Sequence, residues 1–247
     1  VNTLLLDLGN TRWKWTALDD EASAVNGHVY SNNPVSGIVK QLKKQSMPTR
    51  LYIASVRNEE LNRELLQSLK AEGCEVRFLS WRDCSRLNTM YHDPSCLGVD
   101  RYLNMIGALR LYQLPFIIVS AGTAVTVDAM DQEGVHLGGA IFPGRRLLQT
   151  VLIENTDRVE MPYSTESDTI FAQSTETGVL AGTSSGYIAA VNGIVNSMRK
   201  ELGETTQLIL TGGDAVVLEN NLPGGFQSTN NTLIFTGMRE VVARILD

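Results

Sequence analysis

The sequence predicts an α/β protein of two lobes with duplicated topology, each a mixed sheet flanked by helices, with an active-site cleft between the lobes. Three observations carry that prediction. Thr3 to Leu8 is apolar on both faces, as a central strand is, yet it carries Asp7 near its end and turns at Gly9. The first half of the chain reads as three strands, helix, strand, helix, strand. The second half begins that pattern again, and its Ser120-Ala121-Gly122-Thr123-Ala124 matches Asp7-Leu8-Gly9-Asn10-Thr11 in context: an apolar strand, a glycine turn with hydroxyl or amide side chains, a second strand. A chain of 247 residues suits two such lobes, and the expected division is 1–114 and 115–247.

The elements follow in order. After Thr3 to Leu8, Arg12 to Leu18 and Gly27 to Ser31 read as shorter strands of an antiparallel meander. Val35 to Gln45 has helical character, and Leu51 to Ser55 is a strand. Asn58 stands as a helix N-cap, with Glu59 and Glu60 in the first turn, where the helix dipole favours negative charge. Leu61, Leu65, Leu66 and Leu69 make one apolar face, Gly73 ends the helix, and Val76 to Leu79 is the next strand. This order is that of a ribonuclease-H-like lobe. Gly98 opens a helix whose apolar face is Val99, Leu103, Ile106 and Leu109. In the second half, Phe116 to Ser120, Ala124 to Met130 and Val135 to Phe142 are strands. Helices follow over Gly144 to about Glu154 and roughly Thr175 to Leu202. Gln207 to Thr211 is a strand, Gly212 and Gly213 open a short helix, Ile234 and Phe235 form a short strand, and Met238 to Leu246 is a closing helix.

Composition narrows the function classes. With 43% hydrophobic and 19% charged residues the chain reads as soluble and globular, and its apolar runs fall far short of a membrane span. A formal net charge of −6 argues against non-specific nucleic-acid binding, although a small anion needs only a local site. The chain opens directly into a strand, so the expectation is a cytoplasmic protein without a secretion signal. Cys74, Cys84 and Cys96 fit no zinc or redox spacing and read as reduced apolar fillers. His28, His92 and His136 lie apart from them and read as surface or turn residues.

The glycine turns carry the chemistry. A glycine between strands lets a ligand approach the backbone without a Cβ in the way. Exposed N–H groups and the side chains of Asn10, Thr11 and Thr123 are donors suited to phosphate oxygens, and Asp7 can hold Mg²⁺ or its water shell so that the metal bridges to phosphate. An ordinary hairpin has the same composition, and it is the pair of turns in matching contexts that favours a nucleotide-phosphate site. Asp100 and Arg101 lie in the first turn of the helix opened by Gly98; they could form an anion site there or simply complement the dipole and solvent. Gly138 to Gly144 and Leu210 to Ala215 are two further glycine-rich junctions between strand and helix, either tight helix entries or points of close ligand approach.

Taken together, LLLDLGNTRWK, GVDR, VSAGTAVTVD, GGAIFPG, STETGVLAG and LTGGDA resemble, in order and over nearly the whole chain, the type III pantothenate kinases of the acetate and sugar kinase, heat-shock chaperone and actin superfamily. The resemblance implies transfer of the ATP γ-phosphoryl group to the primary hydroxyl of pantothenate, the first step of coenzyme A synthesis, in a cytoplasmic homodimer with no nucleic-acid or membrane partner. By motif position, Asp7, Leu8, Gly9, Asn10, Thr11, Arg12, Trp13 and Lys14 form the first phosphate loop, and Thr123 belongs to the second. Asp100 is implied as the general base. Gly98, Val99, Arg101, Tyr91 and Thr175 would contact pantothenate, and Gly212 and Gly213 the adenosine side. Mg²⁺ is implied at Asp7. One position departs from the pattern: the family commonly has an aspartate that coordinates K⁺ or NH₄⁺ where this chain has Ser120, a poorer cation ligand. A different small-molecule kinase would share the phosphate loops without needing Tyr91 and GVDR together, and a non-catalytic ATP-binding transcription-accessory factor would have no need of a base.

Overall fold

Two mixed sheets organise the chain, and the computed structural model describes residues 2–19, 25–30, 32–159, 170–222 and 227–247. Contacts divide it into one unit of residues 1–112 with 232–247 and a second of residues 113–231. In the first unit, β1 (Thr3–Leu8), β2 (Arg12–Ala17), β3 (Asn26–Val29), β4 (Arg50–Ser55) and β5 (Glu75–Phe78) are ordered β3-β2-β1-β4-β5. The first three form an antiparallel meander; β4 joins β1 in parallel and β5 joins β4. Ser31, expected within the third strand, lies outside the described residues.

Period-two alternation sorts the side chains of this sheet. Leu6, Leu8, Trp13, Trp15, Leu51 and Ile53 face a core closed by Val35, Ile38 and Leu42 of α1 (Pro34–Lys44) and Leu65 and Leu69 of α2 (Glu59–Ala71). Both helices start where the sequence caps them: the Asn33 side chain accepts from Ser36 N and that of Asn58 from Leu61 N, each at 3.0 Å. Trp13 and Trp15 stack with centroids 4.7 Å apart, and the Trp15 indole N–H donates to Gln45 Oε1 at 2.9 Å. Burying a ring of that size contributes about 2–3 kcal/mol. Leu5, Asp7, Tyr52 and Ala54 alternate to the other face, and β1 and β4 meet α7 (Leu233–Leu246) and α3 (Val99–Leu111) respectively. A two-residue strand, β6 (Asn88–Thr89), and a short 3₁₀ turn at Pro94–Cys96 precede α3.

The α3–α7 pair differs from the sequence expectation. Residues Arg101 through Ala108 are all buried, not one stripe only, and Leu109, expected in the apolar face, is 38% exposed. The reason is α7, which crosses α3 at backbone contact: a Cβ on Gly107 would strike the Leu233 carbonyl, and a Cβ on Gly237 the Leu103 carbonyl. Helix α7 is continuous where a strand at Ile234–Phe235 followed by a helix was expected. A short apolar run does not distinguish a strand from a buried helical turn by periodicity. It also packs with the first unit, so the C-terminal segment expected in the second lobe belongs to the first.

In the second unit, β7 (Phe116–Ala121), β8 (Ala124–Met130), β9 (Val135–Pro143), β10 (Gln207–Thr211) and β11 (Gln227–Thr229) run in the order β11-β10-β7-β8-β9. The meander is antiparallel, β10 joins β7 in parallel and β11 joins β10, which repeats the first unit strand for strand. Ile117, Val119, Val125 and Val127 pack against Tyr187, Val191 and Val195 of α5 (Thr175–Leu202) and against Ala215 and Leu218 of α6 (Ala215–Asn221), with Leu148 of α4 (Arg145–Glu154) alongside. A Ser174–Thr177 capping box starts α5. By length and composition α5 is apolar enough to cross a bilayer, but its Val179, Leu180, Tyr187, Val191 and Val195 are buried within this protein. His136, expected at the surface, is fully buried, with Nε2 3.0 Å from Asp128 Oδ1. A polar pair on adjacent strands satisfies itself in the interior, which spacing along the chain does not reveal.

The helix crossing generates a prediction. Gly107→Ala or Gly237→Ala forces two backbones apart and should destabilise the fold by about 3 kcal/mol in urea unfolding. Gly182→Ala on α5, where an added Cβ meets nothing within 4 Å, should instead stabilise it by about 0.5–1 kcal/mol.

Candidate functional site

The first glycine turn links β1 to β2. Asp7 pairs in register with Lys14 on β2 and Ala54 on β4, so the carboxylate and the ammonium share the face opposite the tryptophans. Residues Asn10, Thr11 and Arg12 are exposed at the turn, whereas Leu8 and Trp13 are buried in the core. Of the run assigned to phosphate, those two can reach a ligand only through their backbone. Two residues that the sequence did not point to hold the turn. The Tyr30 hydroxyl donates to Gly9 O at 3.0 Å, and Arg57 Nη1 donates to Asn10 O at 2.7 Å while its guanidinium lies 4.9 Å from the Tyr30 ring centroid. Arg57 follows the end of β4, the parallel neighbour of β1. A residue just past the carboxyl end of a parallel strand next to the turn is the signal that could have found it.

Helix α3 delivers the second group of residues. Gly98 is its N-cap without a side-chain cap, and a Cβ there would lie 2.6 Å from Asp100 Oδ1, so the carboxylate folds back over the glycine. Arg101 is 4% exposed; its Nη1 donates to the Tyr91 hydroxyl at 2.8 Å and its guanidinium lies 5.4 Å from the Tyr91 ring centroid. Tyr91 and Arg101, ten residues apart, therefore form one unit. Asp100 also reaches Asp7 electrostatically. Burial raises the Asp7 pKa to about 7; Lys14 opposes the rise and the like charge of Asp100 adds to it. The structure thus places Lys14, Tyr30 and Asp100 each within electrostatic reach of Asp7.

In the second glycine turn, between β7 and β8, two carbonyls accept backbone N–H groups. Gly144 N donates to Thr123 O at 2.9 Å and Asp214 N to Ala121 O at 3.0 Å. A Cβ on Gly144 would strike the Gly122 carbonyl, and one on Gly212, whose φ is +94°, would strike the backbone of Ala121. Three of the glycine-rich stretches therefore converge on one turn. Gly144 and Gly212 serve its packing; Gly213 is exposed with open space at its α-carbon. Thr123 is exposed, and so is Thr175 at the start of α5. Ser120 lies in register with Thr126 on β8 and Thr211 on β10, which places three hydroxyls in a row across the sheet. The carboxylate nearest in sequence, Asp128, is bonded to His136.

Comparison with known proteins gives the family. The family model described as type III pantothenate kinase matches residues 3–197. A type III pantothenate kinase of Dichelobacter nodosus is 31% identical over 240 residues, covering 95% of each chain, and one of Laribacter hongkongensis is 32% identical over 220 residues, covering 89% of this chain and 90% of the other. Among solved structures, a conserved Campylobacter jejuni protein described as a Baf family transcriptional activator superposes with a TM-score of 0.63 at 22% identity over 98% of both chains. The activator of 2-hydroxyisocaproyl-CoA dehydratase from Clostridium difficile, with bound ADPNP, superposes with a TM-score of 0.51 at 13% identity over 100% of this chain and 97% of the other; at these identities the likeness is one of fold. With the matching motifs, the repeated topology and relatives aligned along nearly its whole length, the chain belongs to the type III pantothenate kinase family.

Proposed function

We propose that this chain transfers the γ-phosphoryl group of ATP to the primary hydroxyl of pantothenate, with Asp100 as general base, as the first step of coenzyme A synthesis. The observation that carries the reading is the entry of α3, where the Asp100 carboxylate folds over Gly98 beside the Tyr91–Arg101 pair, with Asp7 of the first glycine turn within electrostatic reach. A binding module has no use for a carboxylate base beside its substrate site and a second carboxylate at its phosphate turn. A phosphotransferase has one task for each.

Phosphoryl transfer needs positioning and charge neutralisation more than covalent help. Asp100 accepts the hydroxyl proton late, as the new P–O bond makes the alcohol acidic and the bond to the ADP oxygen breaks. Arg101, with Tyr91, suits the acceptor's carboxylate, because a guanidinium binds carboxylates in a planar fork. Gly98 and Val99 offer backbone at the same helix entry, and Thr175 offers an exposed hydroxyl on the second unit. Gly9, Asn10, Thr11, Arg12 and Lys14 present N–H groups and cations to phosphate; on the second unit the Thr123 turn offers donors to phosphate, and Gly212 and open Gly213 belong to the adenosine side. Asp7 fits a divalent cation: a carboxylate whose proton affinity is raised by burial and by a neighbouring like charge is stabilised by a cation. Mg²⁺ held there would neutralise phosphate charge. A monovalent cation at Ser120 would find the hydroxyls of Ser120, Thr126 and Thr211 in place of the aspartate of the family pattern, so these residues do not fit that charged site, and no step is routed through such an ion. The reading includes a cytoplasmic homodimer; free thiols at Cys74, Cys84 and Cys96 support a reducing compartment.

Three outcomes test it. An ADP-release assay should show turnover that requires pantothenate, and Asp100→Asn should lower kcat by about 10³-fold or more while pantothenate still binds; near-normal turnover in that variant would remove Asp100 from the role. Turnover in K⁺, NH₄⁺ and Na⁺ salts of equal ionic strength should agree within about twofold if Ser120 holds no required cation, and a strong K⁺ dependence would reverse that reading. The pKa of Asp7 gives the third. Its folded value lies above the ordinary carboxyl value of 3.8, so the stability it contributes is complete below that pH and is lost as pH rises through about 7. Asp7→Asn should therefore stabilise the ligand-free protein at pH 8, by about 2 kcal/mol after discounting for partial exposure, with the gain shrinking toward pH 4. Added Mg²⁺ should stabilise the wild type and not the variant, as read by thermal melting.

A further inference from the structure

The two glycine turns occupy equivalent places in equivalent sheets, yet they are held by different means. In the second turn the carbonyls of Ala121 and Thr123 accept backbone N–H groups, from Asp214 at 3.0 Å and Gly144 at 2.9 Å. In the first, the carbonyls of Gly9 and Asn10 accept side-chain donors, the Tyr30 hydroxyl at 3.0 Å and Arg57 Nη1 at 2.7 Å. These donors come from separate places in the chain, one just after β3 and the other between β4 and α2. The Arg57 guanidinium lies over the Tyr30 ring at 4.9 Å, so each donor braces the other. Arg57 Nε is buried without a hydrogen-bond partner, so this side chain meets a desolvation cost in taking up its place at the turn. Ser55 Oγ also accepts from Arg57 N at 3.2 Å and donates to Asn62 Oδ1 at 2.7 Å, which fixes the backbone from which the arginine extends.

We propose that Tyr30 and Arg57 are positioning residues for the first phosphate turn: by pinning two successive carbonyls they fix the turn's backbone in the orientation that presents its N–H groups to an anion. The inference rests on reading that turn as a nucleotide-phosphate site. A glycine turn without such braces samples many backbone orientations, and ordering it would subtract from nucleotide affinity. The braces order it in advance. The second turn has backbone support, with Gly144 and Gly212 packed directly against it. The first therefore has the more easily removed support, and substitutions that leave its own sequence intact can disorder it.

Tyr30→Phe removes one donor and keeps the ring; Arg57→Gln removes the charge and the ring contact. Each should raise the KM for ATP about tenfold, the effect of one charge-assisted or buried hydrogen bond, while the KM for pantothenate stays within about twofold. Amide hydrogen exchange of residues 8–12 should quicken in both variants with the rest of the chain unchanged. The double variant should do little more harm than the worse single one, because both act on the same turn. Wild-type exchange at 8–12 together with a wild-type KM for ATP in both variants would overturn the proposal, as would equal rises in the two KM values. The two readings fail separately. A wild-type protein that phosphorylates no pantothenate would remove the kinase function, while the exchange measurement, which needs no turnover, would still judge the brace.

Discussion

The backbone contact between α3 and α7 is the constraint on which the first unit depends. Two helices approach this closely only where both lack a side chain, and Gly107 and Gly237 provide that on facing surfaces. The crossing buries α3 from Arg101 to Ala108, which makes a helix entry at the edge of the fold into a fixed part of its interior. Asp100 and Arg101 belong to that entry. Their positions relative to Asp7 follow from a contact within about two turns further along the helix. The two helices are also equivalent in the repeat, each following the last strand of its sheet, so the pairing joins the last element of the second repeat to the first unit.

Placing a carboxylate on a central strand opposes stability. Asp7 stands where the alternation of β1 calls for an apolar residue, between Leu5 and the turn, and its burial and its neighbour Asp100 both disfavour its charge. Lys14, directly across the strand pair, offsets part of that. Such local conflict between fold and charge marks the places where a protein gives up stability for function. The surrounding structure tolerates it because the opposite face of the same strands carries a dense core, with Trp13 and Trp15 stacked against Leu6 and Leu8.

Duplication explains the shared topology but not the shared solution. Both sheets use meander, parallel strand, parallel strand, and both place a glycine turn at the end of the first strand. In the second unit, glycines pack against that turn's backbone; in the first, an aromatic hydroxyl and a guanidinium donate to its carbonyls. The divergence extends to charge. The first turn has a carboxylate at Asp7, whereas the corresponding Ser120 stands in a row of neutral hydroxyls with Thr126 and Thr211, and the nearby carboxylate Asp128 is taken up by His136.

The sequence by itself determined the order of the main strands and helices as far as α6, the capped start at Asn58, the two glycine turns and the motif set that defines the family. These are legible because each is local: alternation, capping and turn chemistry act over a few residues. Only the tertiary structure decided that α7 is one helix lying against α3, that Gly144 and Gly212 pack on the second turn, that His136 is buried against Asp128, and that Tyr30 and Arg57 hold the first turn. Each of these is a contact between segments distant in the chain. A glycine that admits a neighbouring backbone and one that admits a ligand are the same letter in a sequence, and only what lies against its α-carbon tells them apart.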